Sequence, residues 1–160
     1  MRTAIISDVH GNFEALTTVL ADIDQRQVDR VICLGDILGY GPDPVDCVEL
    51  IAQRCEWSLL GTHDYGALYE PTNFNAAAEQ AAYWTRAQFD RETDDEEAVR
   101  RWEFLGKLRV RTVFGEFLCV HGSPRRPINE YIFPEDAINS PVKMSQIFDL
   151  VDRHCLVGHT

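Results

Sequence analysis

The chain has 160 residues, 45% hydrophobic and 26% charged, a length and balance suited to one globular domain spanning 1–160 rather than a disordered segment. Its 15 basic and 26 acidic side chains leave a formal net charge of -11, which argues against a nonspecific grip on long nucleic acid through its phosphates. No apolar stretch is long enough to span a bilayer and no signal-peptide pattern opens the chain, so a cytoplasmic protein without a membrane partner is expected.

The first apolar run, Ala4-Ile5-Ile6-Ser7, leads to Asp8-Val9-His10. After it, Phe13, Leu16, Val19, Leu20 and Ile23 recur with a helical period behind Asn12, which predicts a capped helix over 12–26. A second run, Val31 to Gly35, leads to Asp36, and Asp43-Pro44 then suits an N-cap followed by a first-turn proline. Trp57-Ser58-Leu59-Leu60-Gly61 leads to Thr62-His63-Asp64. This β-α-β-α-β opening indicates a parallel sheet with right-handed crossovers. Two helices are predicted over 75–89 and 94–105, the second opened by Asp94-Asp95-Glu96-Glu97, a charge run of the kind that usually marks a solvated face. A strand over 108–114, a turn at Gly115-Glu116 and a returning strand over 117–120 follow, then a helix over 141–151 and the last run, Cys155 to Gly158, which leads to His159. The five cysteines are odd in number and form no Cys-x-x-Cys pair, and Cys33, Cys119 and Cys155 lie inside apolar runs, which reads as core packing.

The five apolar runs thus end in small residues followed by an acid or an imidazole. In an open α/β sheet the ligand lies beyond the carboxyl ends of the strands, so residues scattered through the chain are expected to converge on one rim. Asp8 and His10 are two apart, a spacing that points both to one side of an extended segment. Asp36 carries two oxygens and can bridge two cations. His63 beside Asp64 is a pairing that can raise the imidazole pKa and suit it to general-acid work. A single histidine is more often structural than a ligand, but His10, His121 and His159 all stand at run ends, and only His154 looks incidental. Carboxylates and imidazoles without thiolates suit Mn, Fe, Zn or a similar divalent ion. Arg125 and Arg126, just past His121, could offer guanidinium forks to a phosphate, although loop arginines are commonly just solvated.

Asp8-Val9-His10, Gly35-Asp36, Gly61-Thr62-His63-Asp64, His121 and Gly158-His159 resemble, in order and spacing, the motifs of the calcineurin-like metallophosphoesterases. Ser7 to Asn12 and Cys33 to Pro42 are especially similar to a bacterial and archaeal branch related to Ser/Thr and diadenosine-tetraphosphate phosphatases. The resemblance implies a four-layer αββα sandwich, an α/β (α+β) fold of two mixed sheets flanked by helices. It also implies a divalent-metal-dependent phosphatase or phosphodiesterase acting on a small phosphorylated substrate, such as a nucleotide or a phosphoprotein. One ion would be held by Asp8, His10 and Asp36, and a second by Asp36, His121 and His159. Two ions about 3.5–4 Å apart would activate a hydroxide for in-line attack. His63 would protonate the leaving group, with Asp64 orienting it.

Two positions depart from the motifs. Thr62 stands where the family has a metal-binding asparagine, and its shorter, β-branched side chain does not reach the same point, so a weakened second metal site is expected. The closing motif also needs a histidine two residues after His159, and the strands that complete the second sheet would follow it. The chain as given is expected to lack both, to expose a sheet edge open to pairing with a second copy, and to have low intrinsic activity. The alternative is a catalytically impaired domain that binds metal or nucleotide and acts through partners.

Overall fold

The computed structural model describes residues 1–90 and 96–160; Asp94 and Asp95 of the acidic cluster lie outside the described residues. β1 (Thr3–Ile6), β2 (Arg30–Cys33) and β3 (Cys55–Ser58) pair in that order as a parallel sheet, linked by α1 (Phe13–Gln25) and α2 (Pro44–Arg54). Three helices follow: α3 (Thr62–Leu68), α4 (Ala76–Asp90) and α5 (Glu96–Gly106). A second sheet is ordered β4 (Arg111–Phe114), β5 (Phe117–Val120), β6 (His154–Leu156), the first pair antiparallel and the second parallel. Between β5 and β6 lie α6 (Asp136–Asn139) and α7 (Pro141–Phe148). The architecture is the expected α/β sandwich; the first sheet is parallel throughout and the second carries both directions.

The strand β2 organises the packing. Successive side chains on a strand point to opposite faces, and here Val31 and Cys33 enter the core that holds Leu16, Leu20, Val48 and Ile51 of the helices, while Ile32 packs in a second, smaller cluster. That smaller cluster joins the two sheets: Ile32, Leu34, Trp57 and Leu59 from the first meet Cys119, with Phe114 and Leu156 packed against them. A strand buried on both faces must be apolar along its length, as parallel sheet strands are. The helix α1 places Leu16, Leu20 and Ile23 on one buried stripe, each contributing about 1.5–3 kcal/mol by leaving water.

Local signals acted largely as expected. Asn12 caps α1 by accepting from Ala15 N at 3.0 Å, and Asn75 accepts from Ala78 N at 3.0 Å at the start of α4. Asp43 occupies the N-cap of α2 with Pro44 behind it, but its side chain makes no capping bond. The strand expected over 108–114 begins only at Arg111, because the first sheet captures its opening residues: Leu60 N donates to Arg109 O at 2.8 Å and Arg109 N to Ser58 O at 3.1 Å. The helix expected over 141–151 ends at Phe148, where Leu150 N and Val151 N bond to Ile147 O and Phe148 O in a tightened turn. All five cysteines are free. Among the described residues, no helix is long and apolar enough to cross a membrane.

Candidate metal centre

Beyond the carboxyl end of β1 the chain leaves the extended conformation. Asp8 and His10 have φ of 56° and 51°, as does Asp36 after β2 with φ 52°. The extended geometry expected for Asp8 and His10 is therefore replaced by two left-handed residues. The cause is a ladder between the two loops: Asp8 N donates to Gly35 O, His10 N to Asp36 O and Gly11 N to Ile37 O, at 2.9 to 3.0 Å. Left-handed conformations cost non-glycine residues about 1–3 kcal/mol each and persist only where surroundings over-determine them. His159 shares the feature with φ 66°, so four of the candidate ligands are held this way.

Asp36, only 2% exposed, lies at the middle. Its Oδ1 accepts from His63 N at 2.8 Å. Its Oδ2 lies 3.2 Å from His121 Nε2 and 3.7 Å from His10 Nε2. Burial pushes the Asp36 carboxyl up, but His121, His10 and His63 outweigh it and hold the group below its ordinary range. The space for this contact depends on Gly61, where a Cβ would stand 2.1 Å from Asp36 Oδ1.

Ligand-capable atoms gather in two groups that share this carboxylate. His10, Asp36 and His63 form one; Asp36, His121 and His159 form the other, each with atoms within 4.8 Å of one another. Asp8 adjoins the first, 3.9 Å from His10 Nε2; its oxygens accept from Ser7 Oγ and, at 3.2 Å, from His159 N.

The tautomers test whether these residues fit a cation. His10 Nδ1 lies 3.0 Å from Leu38 O and His121 Nδ1 lies 2.8 Å from Leu34 O. A carbonyl oxygen only accepts, so both Nδ1 atoms carry the proton. When Nε2 is unprotonated it presents a lone pair towards a carboxylate, an arrangement that a positive charge between them, a proton or a metal ion, relieves. Burial alone would depress the His121 pKa, yet Asp36 and the Leu34 carbonyl raise it overall. The buried Nε2 atoms of His121 and His159 have no hydrogen-bond partner, although His121 Nε2 lies 3.2 Å from the Asp36 carboxylate. A divalent ion answers both features, and the donor set fits one.

His63 and Asp64 are both buried, but their expected pairing is absent. The Asp64 oxygens accept from Leu38 N at 2.9 Å and Gly61 N at 3.0 Å, tying two motif loops together. Burial and the nearby Asp36 push Asp64 up to about 6. His63 Nδ1 has no partner, and burial lowers the His63 pKa against the pull of Asp36, opposite to the shift expected from the sequence. The ring packs instead against Tyr40, Phe74 and His10, with centroids at 4.4, 4.8 and 4.9 Å.

A cleft of about 330 Å³ opens over the groups, with Asp8, His10, Asp36, Thr62, His63 and His159 among its lining residues. Tyr40, Phe74, Tyr131 and the amides of Asn73, Asn75 and Asn129 also line it, contributions with no signal in the sequence beyond their loop positions. Arg125 and Arg126 do not line it. The Arg125 guanidinium is paired with Glu130, its Nε donating to Oε2 at 3.1 Å, so a carboxylate five residues on already occupies the fork expected for phosphate. Arg126 is exposed.

Comparison with known proteins agrees with this arrangement. The profile of the calcineurin-like phosphoesterases matches residues 1–156. The chain belongs to this family. A metallophosphoesterase from Sphaerobacter thermophilus, whose crystal structure is known, is 38% identical with a TM-score of 0.77, the match covering 99% of this chain and 60% of that one. An uncharacterized protein of Methanocaldococcus jannaschii is 38% identical over 136 residues, 82% of this chain and 54% of its own length. A candidate diadenosine tetraphosphatase of known structure shares the fold, with a TM-score of 0.55 at 22% identity over 84% of this chain and 56% of that one. This member of the family therefore spans a little more than half the length of these relatives. Metal-dependent phosphoester hydrolysis is the family's general chemistry, and the His/Asp groups of this chain are of the type it uses.

Proposed function

We propose that the chain is a divalent-metal-dependent phosphoesterase acting on a small phosphorylated substrate in the cleft. The observation that carries this reading is the pair of ligand groups sharing Asp36. Asp8, His10 and Asp36 would hold one ion, and Asp36, His121 and His159 a second. Divalent ions bound there supply a nucleophile at neutral pH and neutralise charge on the phosphoryl oxygens. The chain's own residues do the rest. Leu38 O and Leu34 O fix His10 and His121 so that Nε2 of each faces Asp36. Asp64 clamps the loops at Leu38 and Gly61, which sets the His63 main chain against Asp36. His63, which lines the cleft, would give a proton to the leaving oxygen. Its lowered pKa makes it a stronger donor once an anionic phosphoryl group has favoured its protonation. Tyr40, Phe74 and Tyr131 offer apolar surface to the leaving group. The free cysteines support a reducing compartment, the cytoplasm.

A second reading, a metal-binding domain with impaired catalysis, is favoured by Thr62, whose hydroxyl donates to Ile128 O at 2.7 Å. The full chain, freed of metal by chelation and reloaded with Mn²⁺, separates the two. The enzyme reading expects hydrolysis of p-nitrophenyl phosphate or its bis ester that chelation abolishes and Mn²⁺ restores. Mn²⁺ binding without turnover of either compound would replace it with the second reading.

A further inference from the structure

The three imidazoles proposed to hold the ions, those of His10, His121 and His159, are supported unequally. His10 and His121 each give the Nδ1 proton to a main-chain carbonyl. Among the described residues, His159 Nδ1 makes no such contact with a carbonyl; its hydrogen-bond contact is with Thr62 Oγ1, at 3.5 Å. We infer that Thr62 is a positioning residue for His159, a role distinct from metal ligation, and that it sets the tautomer leaving His159 Nε2 free for an ion. The inference rests on the metal-binding part of the proposed function.

Proton counting fixes the direction of this contact. A threonine hydroxyl has one proton and two lone pairs. The proton lies on the short path to Ile128 O, 2.7 Å away, so only a lone pair faces His159. That lone pair is attractive only if Nδ1 carries a proton. The relay runs from His159 Nδ1–H to Thr62 Oγ1–H to the Ile128 carbonyl, and leaves Nε2 bare, buried and without a hydrogen-bond partner in the group with Asp36 and His121. Thr62 does for His159 what a main-chain carbonyl does for the other two imidazoles.

The same bond organises the opposite side of the ring. By pinning Ile128, Thr62 anchors the loop that carries Tyr131, whose ring stacks on His159 at 4.0 Å and 22°. Lys143 Nζ holds the Tyr131 carbonyl from outside at 2.8 Å. His159 is thus gripped on its edge by Thr62 and on its face by Tyr131. Thr62 opens α3 behind Gly61, and β-branching restricts its side-chain rotation, which suits a fixed strut.

The test uses the full chain with ¹⁵N-labelled histidine, as the parent and as Thr62→Val and Thr62→Ser. Long-range ¹H–¹⁵N spectra of the metal-free proteins read the tautomer, and calorimetric titration with Zn²⁺ reads affinity. The parent and Thr62→Ser are expected to show His159 protonated at Nδ1. Thr62→Val is expected to show a tautomer mixture and to bind the weaker of its ions about 10- to 100-fold less tightly, the usual effect of losing a group that orients a ligand. A parent protonated at Nε2 overturns the inference even if Thr62→Val fails to fold. So does a folded Thr62→Val with the parent tautomer and affinity. Absence of phosphoester hydrolysis would remove the enzyme reading and leave these measurements intact, whereas absence of Zn²⁺ binding by the parent would remove both.

Discussion

The two sheets meet at one centre but serve it differently. The first sheet supplies Asp8, His10 and Asp36 from loops locked to one another by main-chain bonds, with Gly61, Leu38 and the His63 amide tied in through Asp64 and Asp36. The second supplies only His121 and His159. His121 is drawn back onto the first sheet by Leu34 O and is fully buried, while the His159 main chain donates to Asp8 and its ring meets the side chains of Thr62 and Tyr131. On the far face of the second sheet Leu118 and Val120 are buried, while Val113 of β4 is 70% exposed. Support at this centre is therefore graded: main-chain carbonyls hold the rings of His10 and His121, and side chains hold that of His159.

Substitutions at two glycines probe the gradient most strongly. At Gly61 an added Cβ would meet the Asp36 carboxylate at 2.1 Å and the Asp36 main-chain nitrogen at 2.2 Å. Gly61→Ala is expected to cost about 3 kcal/mol or more in urea unfolding, at the upper end of overpacking effects. At Gly158 the nearest atom is the Ser7 hydroxyl at 2.3 Å, with Asp8 Oδ2 next at 3.0 Å, both ends of side chains. Gly158→Ala should cost clearly less, and an equal or larger loss would reverse the proposed ranking.

His121→Gln and His159→Gln sharpen the contrast between the two imidazoles. Both are expected to weaken Zn²⁺ binding, but His121→Gln should also lower the melting temperature of the metal-free chain, since it removes a fully buried contact across the sheets. His159→Gln should leave that temperature nearly unchanged; a larger drop than for His121→Gln would contradict the gradient.

A pH series tests the clamp within the first sheet. The Asp64 carboxyl rises from an ordinary 3.8 to about 6 on folding, so the folded state holds more protons than the unfolded state between those values. Stability from this group is accordingly lost as pH rises through that window. For the metal-free chain, the unfolding free energy of the parent should fall relative to Asp64→Asn as pH increases from 4 to 6, and a gap independent of pH would reject the assignment. The smallest effect is expected at exposed Val113: Val113→Thr should change stability by less than about 0.5 kcal/mol.

Much of this centre was legible from the chain. Short apolar runs before Asp8, Asp36, His121 and His159 reveal strand ends, and strand ends of an α/β sheet converge. What the sequence concealed comes from partners that only the folded chain selects, some distant along it and some within a single loop. The left-handed backbone at Asp8, His10 and Asp36 depends on a ladder between loops about 27 residues apart. Asp64 looked like a partner for its neighbour His63, yet its oxygens face Leu38 N and Gly61 N. Arg125 looked available, but loop closure brings Glu130 onto it. Thr62, a departure in the motif, finds Ile128 66 residues away.

If Asp36 joins two ion-binding groups, calorimetric titration of the metal-free chain with Mn²⁺ reveals it when the parent is compared with Asp36→Asn. The account predicts two binding events in the parent and loss or strong weakening of both in Asp36→Asn. A variant that keeps either event at the affinity of the parent would show that the carboxylate is not shared, and would contradict the account.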